Sequence, residues 1–193
     1  MEFILQRIIC KRYDDMLKEV TGKALNDFGK NVIKQSRSNL TRANAKNKGN
    51  LYNSLAFNLS IGKSSFTLAF SMEDYGQFID EGVRGANPSS VKNGKQKAPG
   101  SPFSFKNKKP PMQPLMEWAK SKNIRLRDAK GKYTKGNYRT IGFILQKRIF
   151  AQGIKPTLFF TKAFVSSFKS LPDEVVEAYN LDIQEFLKYT IKK

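Results

Sequence analysis

Residues 51–72, "LYNSLAFNLSIGKSSFTLAFSM", alternate apolar and polar side chains on both sides of "GKSS" at 62–65. Alternation of this kind places every second side chain on one face of an extended chain, so two such runs joined by a short turn predict a β-hairpin. On that register Leu55, Phe57, Leu59 and Ile61 face a core from one arm, and Phe66, Leu68 and Phe70 face it from the other. The turn echoes the end of a phosphate-binding loop. That motif, however, needs a glycine five residues before its Gly-Lys pair and a helix after it; Phe57 stands at the first place and a strand pattern follows. Nucleotide binding at this turn is not expected.

Upstream, from about Tyr13 to Leu40, Met16, Leu17, Val20, Ala24, Leu25, Phe28, Val32 and Ile33 recur at spacings of three and four. This is the apolar stripe of a long amphipathic helix, with Lys18, Lys23, Lys30, Lys34 and Arg37 mostly on its wet side. Gly22 and Gly29 fall inside the pattern, each costing about 1 kcal/mol against alanine, so the helix is expected to be bent or split. A polar, basic loop ending at Gly49 joins it to the hairpin.

Downstream, "DYGQFIDEGVRGANP" at 74–88 carries Asp80 and Glu81 between aromatic residues and a glycine turn. These acids, like Asp14 with Asp15 and Glu73 with Asp74, could be offered as metal or proton-transfer groups. Adjacent residues on a strand point to opposite faces, and no third ligand stands at a defined spacing, so no metal, cofactor or catalytic residue is assigned. A magnesium nuclease assembled from distant carboxylates stays as a minor alternative.

Residues 84–139 hold fifteen Lys and Arg against two acids, a local balance of +13 out of a net +19 for the 193-residue chain. Pro, Gly, Ser and Asn are dense through Pro111, which predicts a basic extended loop inserted over 84–114. In "SPFSFKNKKPP", Phe103 and Phe105 either stack nucleic-acid bases or anchor the loop; its length favours the anchor. "MQPLMEWAKSKN" reads as a short helix packing Leu115, Trp118 and Ala119 inward, and "RDAKGKYTKGNY" as another polar loop. "RTIGFILQKRIFAQG" predicts a helix with Ile141, Phe143, Ile144, Leu145, Ile149 and Phe150 apolar, Lys147 and Arg148 outward, and Gly153 as its stop. "IKPTLFFTKAF" reads as a strand or tight extended segment, and 172–193 as a C-terminal helix entered at Pro172. The sum is one α+β domain over 1–193: a small, mainly antiparallel sheet, a long N-terminal helix, further helices packed on it and the basic insertion.

Composition narrows function. With no histidine, the commonest general base and metal ligand is missing. The single cysteine, Cys10, has no internal partner, which fits an intracellular chain with a buried thiol. No apolar run approaches the length of a membrane helix and no signal-peptide pattern opens the chain, so a soluble cytoplasmic product is expected. A pI near 10 points to work beside polyanions.

Taken in order, the segments over roughly 14–170 resemble the tail-completion or neck proteins of tailed double-stranded DNA phages. In that family a "G-x-L-x-x-S" approach to a sheet, a "Y-[AG]-x-F-x-[ED]-x-G" turn and a late "P-x-x-F-x-x-A" segment recur. The matching positions are Gly49, Leu51 and Ser54; Tyr75, Phe78, Asp80 and Gly82; and Pro156, Phe159 with Phe160 beside it, and Ala163. The family turn usually continues into Gly-Thr, whereas Gly82 is followed by Val83. The resemblance implies a non-enzymatic virion protein of the head-to-tail junction, assembled in the host cytoplasm as a homo-oligomeric ring. Its partners would be portal, adaptor or tail-tube proteins, with double-stranded DNA passing nearby and no membrane involved.

On that reading Tyr75 and Phe78 pack the turn, Gly82 and Gly85 let the backbone reverse, and the exposed acid of the Asp80–Glu81 pair meets a neighbouring subunit's lysine. Tyr75, Phe78, Asp80, Glu81, Gly82 and Arg84 are the expected subunit-interface residues. Lys92, Lys95, Lys97, Lys106, Lys108 and Lys109 are expected to face nucleic acid through nonspecific phosphate contacts. The alternative is a cytoplasmic nucleic-acid-binding protein whose arm is 92–109.

Overall fold

A computed structural model describes residues 2–44, 49–62, 65–128, 130–134 and 136–173, with the backbone alone for 2–18. Its chain is α+β, with the long N-terminal helix packed on a small antiparallel sheet. Two compact units are formed, one from 1–74 with 159–193 and one from 75–158.

In the first unit α1 (Glu2–Arg42) runs unbroken through both glycines. Of the predicted stripe Leu25, Phe28, Val32 and Ile33 are buried, Ala24 is half-buried and Val20 is exposed, while Thr21, Ser36 and Leu40, not part of the prediction, are buried on the same helix. The glycines are explained by what lies on them. A Cβ at Gly22 would meet Ile61 Cδ1 at 3.2 Å, and one at Gly29 would stand 2.6 Å from the Phe57 ring. The helix keeps its length and the bare positions let a strand lie close, which offsets the propensity cost.

That strand belongs to the expected hairpin. β1 (Ala56–Ile61) pairs antiparallel with β2 (Phe66–Ser71) in the register Phe57↔Phe70, Leu59↔Leu68 and Ile61↔Phe66. Phe57 meeting Gly29 and Ile61 meeting Gly22 mean that β1 runs back along α1. The apolar face is half-buried rather than fully enclosed, and Ile61 at the hairpin's far end is mostly exposed. Lys63 and Ser64 of the turn lie outside the described residues. Before the hairpin, α2 (Asn50–Ser54) is a single short turn of helix, where the alternating stretch from Leu51 suggests extended chain.

The segment "FFTKAF" corrects the reading as a strand: it opens α6 (Phe159–Phe168). Phe159, Phe160, Ala163, Phe164 and Ser167 are buried, a spacing of one, three and four that belongs to a helix face. Rings interlock around it, with Phe28 edge-on to Phe164 at 5.3 Å and Phe70 edge-on to Phe160 at 5.4 Å. Arg37 ties α1 to the chain before β1, donating to the carbonyls of Tyr52 at 3.1 Å and Leu55 at 3.0 Å. The Cys10 side chain and the expected C-terminal helix beyond residue 173 fall outside the described residues.

In the second unit α3 (Gly76–Asp80) precedes β3 (Val83–Arg84), which pairs antiparallel with β4 (Gly153–Ile154). Between them lie the basic loop, α4 (Met112–Ser121) and α5 (Tyr138–Gln152). Asn137 caps α5 by accepting from the Thr140 N–H at 2.9 Å, and Gly153, at φ 86°, ends it as expected. Ala119 and Ile141 are buried between the two helices' faces, but Phe143 and Ile144 of α5 are exposed, not core.

Candidate functional site

The turn at 75–85 is held through its own main-chain groups, which bond both backbone and side chains of the segments around it. The Thr157 N–H and Oγ1 both donate to the Ile79 carbonyl, at 3.1 and 2.8 Å, and the Leu158 N–H donates to that of Asp80 at 2.9 Å. Ser101 Oγ, itself buried, donates to the Gly82 carbonyl at 2.8 Å. Gly82 sits at φ 74°, and a Cβ there would stand 2.5 Å from the Ile154 oxygen, so this position admits only glycine without strain. A Cβ on Gly85 would collide with the Ala151 carbonyl.

This frame sorts the expected interface residues. Tyr75 and Phe78 are each 41% exposed, and the Phe78 ring meets that of Phe103 edge-on at 4.7 Å. Arg84 is exposed. Gly82 is buried. Asp80 departs from expectation: it is 4% exposed, within the turn whose carbonyls at 79 and 80 accept the N–H groups of Thr157 and Leu158. Only Glu81 remains partly exposed. Burial, and next the charge of Asp80 beside it, push the Glu81 carboxyl above its ordinary value.

All six candidate loop lysines, Lys92, Lys95, Lys97, Lys106, Lys108 and Lys109, are exposed. The loop that carries them is docked on its own unit rather than trailing from it. The Gln96 amide acts as a piece of strand, accepting from the Gly85 N–H at 2.7 Å and donating to the Gly85 carbonyl at 3.1 Å. Arg84 exchanges backbone bonds with Phe103 and Phe105, and the Lys97 N–H donates to the Gln152 carbonyl at 2.9 Å. Phe105 lies 6.0 Å from Phe150, the Lys109 ammonium sits 5.9 Å above the same ring, and Gln146 donates to the Pro110 carbonyl at 2.7 Å. Of the two roles open to Phe103 and Phe105, anchoring is the one their contacts serve. The loop thus follows the second half of α5, where Lys147 and Arg148 are also exposed.

Charge is correspondingly uneven. Residues 75–158 carry eighteen Lys and Arg against four acids, and the other unit seventeen against twelve. Among the described residues no three Cys, Asp or Glu gather as a metal site, and no helix is long and apolar enough to cross a membrane.

Gln96, Ser101, Gln146 and Thr157 were not singled out from sequence. Each is a neutral polar residue in a polar context, and only the carbonyl or N–H it meets distinguishes it. Gly49, Leu51 and Ser54 serve the frame of the first unit: Gly49 takes φ 88°, Leu51 is buried and Ser54 Oγ accepts from the Glu73 N–H at 3.1 Å. No protein-family model, curated protein or solved structure matches the chain.

Proposed function

We propose that the protein is a non-enzymatic structural component of the head-to-tail junction of a tailed double-stranded DNA phage, assembling as a homo-oligomeric ring around or beside the DNA path. The reading rests on the ordered succession of short motifs, and the observation that carries it is the turn at 75–85. Its backbone is fixed by glycines and buried hydrogen bonds, yet Tyr75 and Phe78 remain substantially exposed on it. A rigid turn that presents aromatic rings suits a repeated subunit contact, since aromatic anchors dominate interface energetics and ring closure requires a fixed contact angle. Arg84 and the partly exposed Glu81 supply charges of both signs at its rim. The exposed lysines suit a polyanion that must be attracted without being gripped.

Quantitative mass spectrometry of density-purified particles from the source tests this. A fixed low copy number relative to the major capsid protein is expected; absence from particles overturns it. Absence would favour the second reading, a nucleic-acid-binding protein acting through 92–109, which is supported by the exposure of all six lysines on an ordered loop.

A further inference from the structure

The segment "RDAKGKYTKGNY" folds back on itself as a minimal ribbon closed by one antiparallel bridge. Arg127 and Tyr133 face each other across an antiparallel bridge, flanked by bonds from the Asp128 N–H to Lys132 O at 2.9 Å and the Thr134 N–H to Leu126 O at 3.0 Å. Bonds that flank the pair rather than join it bring the two opposing side chains close on one face. Arg127 Nη2 donates to Tyr133 Oη at 2.8 Å, with the guanidinium 4.5 Å from the ring centroid. Arg125, two residues back on the same face, lies 5.9 Å from that ring. Tyr133 is 63% exposed, so both guanidiniums are held at the surface, not in a core.

The turn is closed without neutralising this charge. Asp128, the one carboxylate between 125 and 134, accepts the backbone N–H groups of Lys130 at 2.9 Å and Lys132 at 2.8 Å. Gly131 at φ 79° completes the reversal. Both lysine side chains are exposed at the tip.

We propose that this ribbon, through Arg125, Arg127, Lys130 and Lys132, is a contact for the phosphate backbone of duplex DNA. A two-stranded ribbon is narrow enough for the major groove, about 12 Å wide. Guanidinium forks match phosphate oxygens, and tethering two of them on one ring lowers the ordering cost of binding. Duplex is favoured over single strands because Arg127 already occupies one face of the Tyr133 ring and bonds its hydroxyl, and no second ring stands between 125 and 134 to continue a stack of bases. The inference deepens the proposed proximity to DNA but does not depend on ring assembly.

The test is binding of the full chain to a mixed-sequence duplex of about 30 bp, followed by anisotropy from about 50 to 200 mM salt. K130Q/K132Q alters no side-chain bond of the ribbon, and is expected to reduce the slope of log K against log salt by about 1.8, at about 0.9 per phosphate contact. R125Q/R127Q should do the same. K23Q/K162Q removes equal charge from exposed positions on α1 and α6 and should change the slope by less than about 0.5. An unchanged slope in K130Q/K132Q, an equal fall in the control, no binding by the unaltered chain, or tighter binding to single-stranded DNA of the same length would each overturn the assignment. None of these outcomes would alter the copy number in particles, so the two ideas fail separately.

Discussion

The ring of Phe57 lies directly on the backbone of Gly29, where a Cβ would stand 2.6 Å from two of its carbons. Seven residues earlier, a Cβ at Gly22 would meet the far end of Ile61 at 3.2 Å and the edge of the Phe66 ring at 3.8 Å, an ordinary van der Waals distance. The two glycines share a helix face and should respond oppositely to substitution.

Gly29→Ala is expected to lower stability by about 1–3 kcal/mol, since displacing an aromatic ring and its strand outweighs the helix-propensity gain. Gly22→Ala should be neutral or stabilising by up to about 1 kcal/mol, because a terminal methyl can move and Ile61 is largely exposed. Urea denaturation of both variants reads the difference. Equal effects would contradict the close approach at Gly29.

Phe78→Ala should leave the fold standing at a cost of about 1 kcal/mol, the order of its edge-on pair with Phe103, and should still block assembly into particles. Gly82→Ala is expected to cost about 3 kcal/mol or more, because it adds a disfavoured left-handed backbone conformation to a collision with the Ile154 carbonyl. Thermal melts and particle incorporation separate the two. An assembly defect in Gly82→Ala would therefore report misfolding, whereas one in Phe78→Ala reports contact.

The Glu81 carboxyl is raised above 4.5 by burial and by Asp80. The folded state then binds the proton more tightly than the unfolded chain, so this group's effect on stability is lost as pH rises through the folded value and the charged form has to be held. Glu81→Gln should be more stable than the native chain near neutral pH, with the gap closing as pH falls toward and below 4.5. Urea midpoints at a series of pH values measure it. A gap that widens in acid would reverse the assigned direction.

Gln96→Ala removes both bonds to Gly85 and should cost about 1–2 kcal/mol. Amide hydrogen exchange should accelerate at Gly85 and Lys97 while α1 stays protected. Unchanged exchange at Gly85 would mean that the loop is held without the glutamine.

The hairpin was legible because Phe57, Leu59, Ile61 and Phe66, Leu68, Phe70 place a large apolar side chain at every second position, a period that helices cannot share. "FFTKAF" misled because a short apolar run fits a strand and a buried helix alike, although Phe159, Phe160, Ala163 and Phe164 already carry the helical spacing that Ser167 continues. The glycines of α1 were visible as a propensity cost, but the strand responsible comes from elsewhere in the chain. Asp80 looked exposed because acids usually are, and it is buried within a turn that takes backbone bonds from Thr157 and Leu158, far off in sequence. The exposure of Val20, Phe143 and Ile144 was equally hidden, since periodicity identifies a face without saying how much of it is covered.

The basic loop is fastened by carbonyls, N–H groups, a serine hydroxyl, two glutamine amides and phenylalanine rings, and of the six lysine side chains only that of Lys109 lies over a fastening group, the ring of Phe150. Architecture and electrostatics are written in different letters here. Selection can therefore tune the pull on a polyanion one lysine at a time, strengthening or relaxing it to suit a new target, while the scaffold that carries the charge is inherited unchanged.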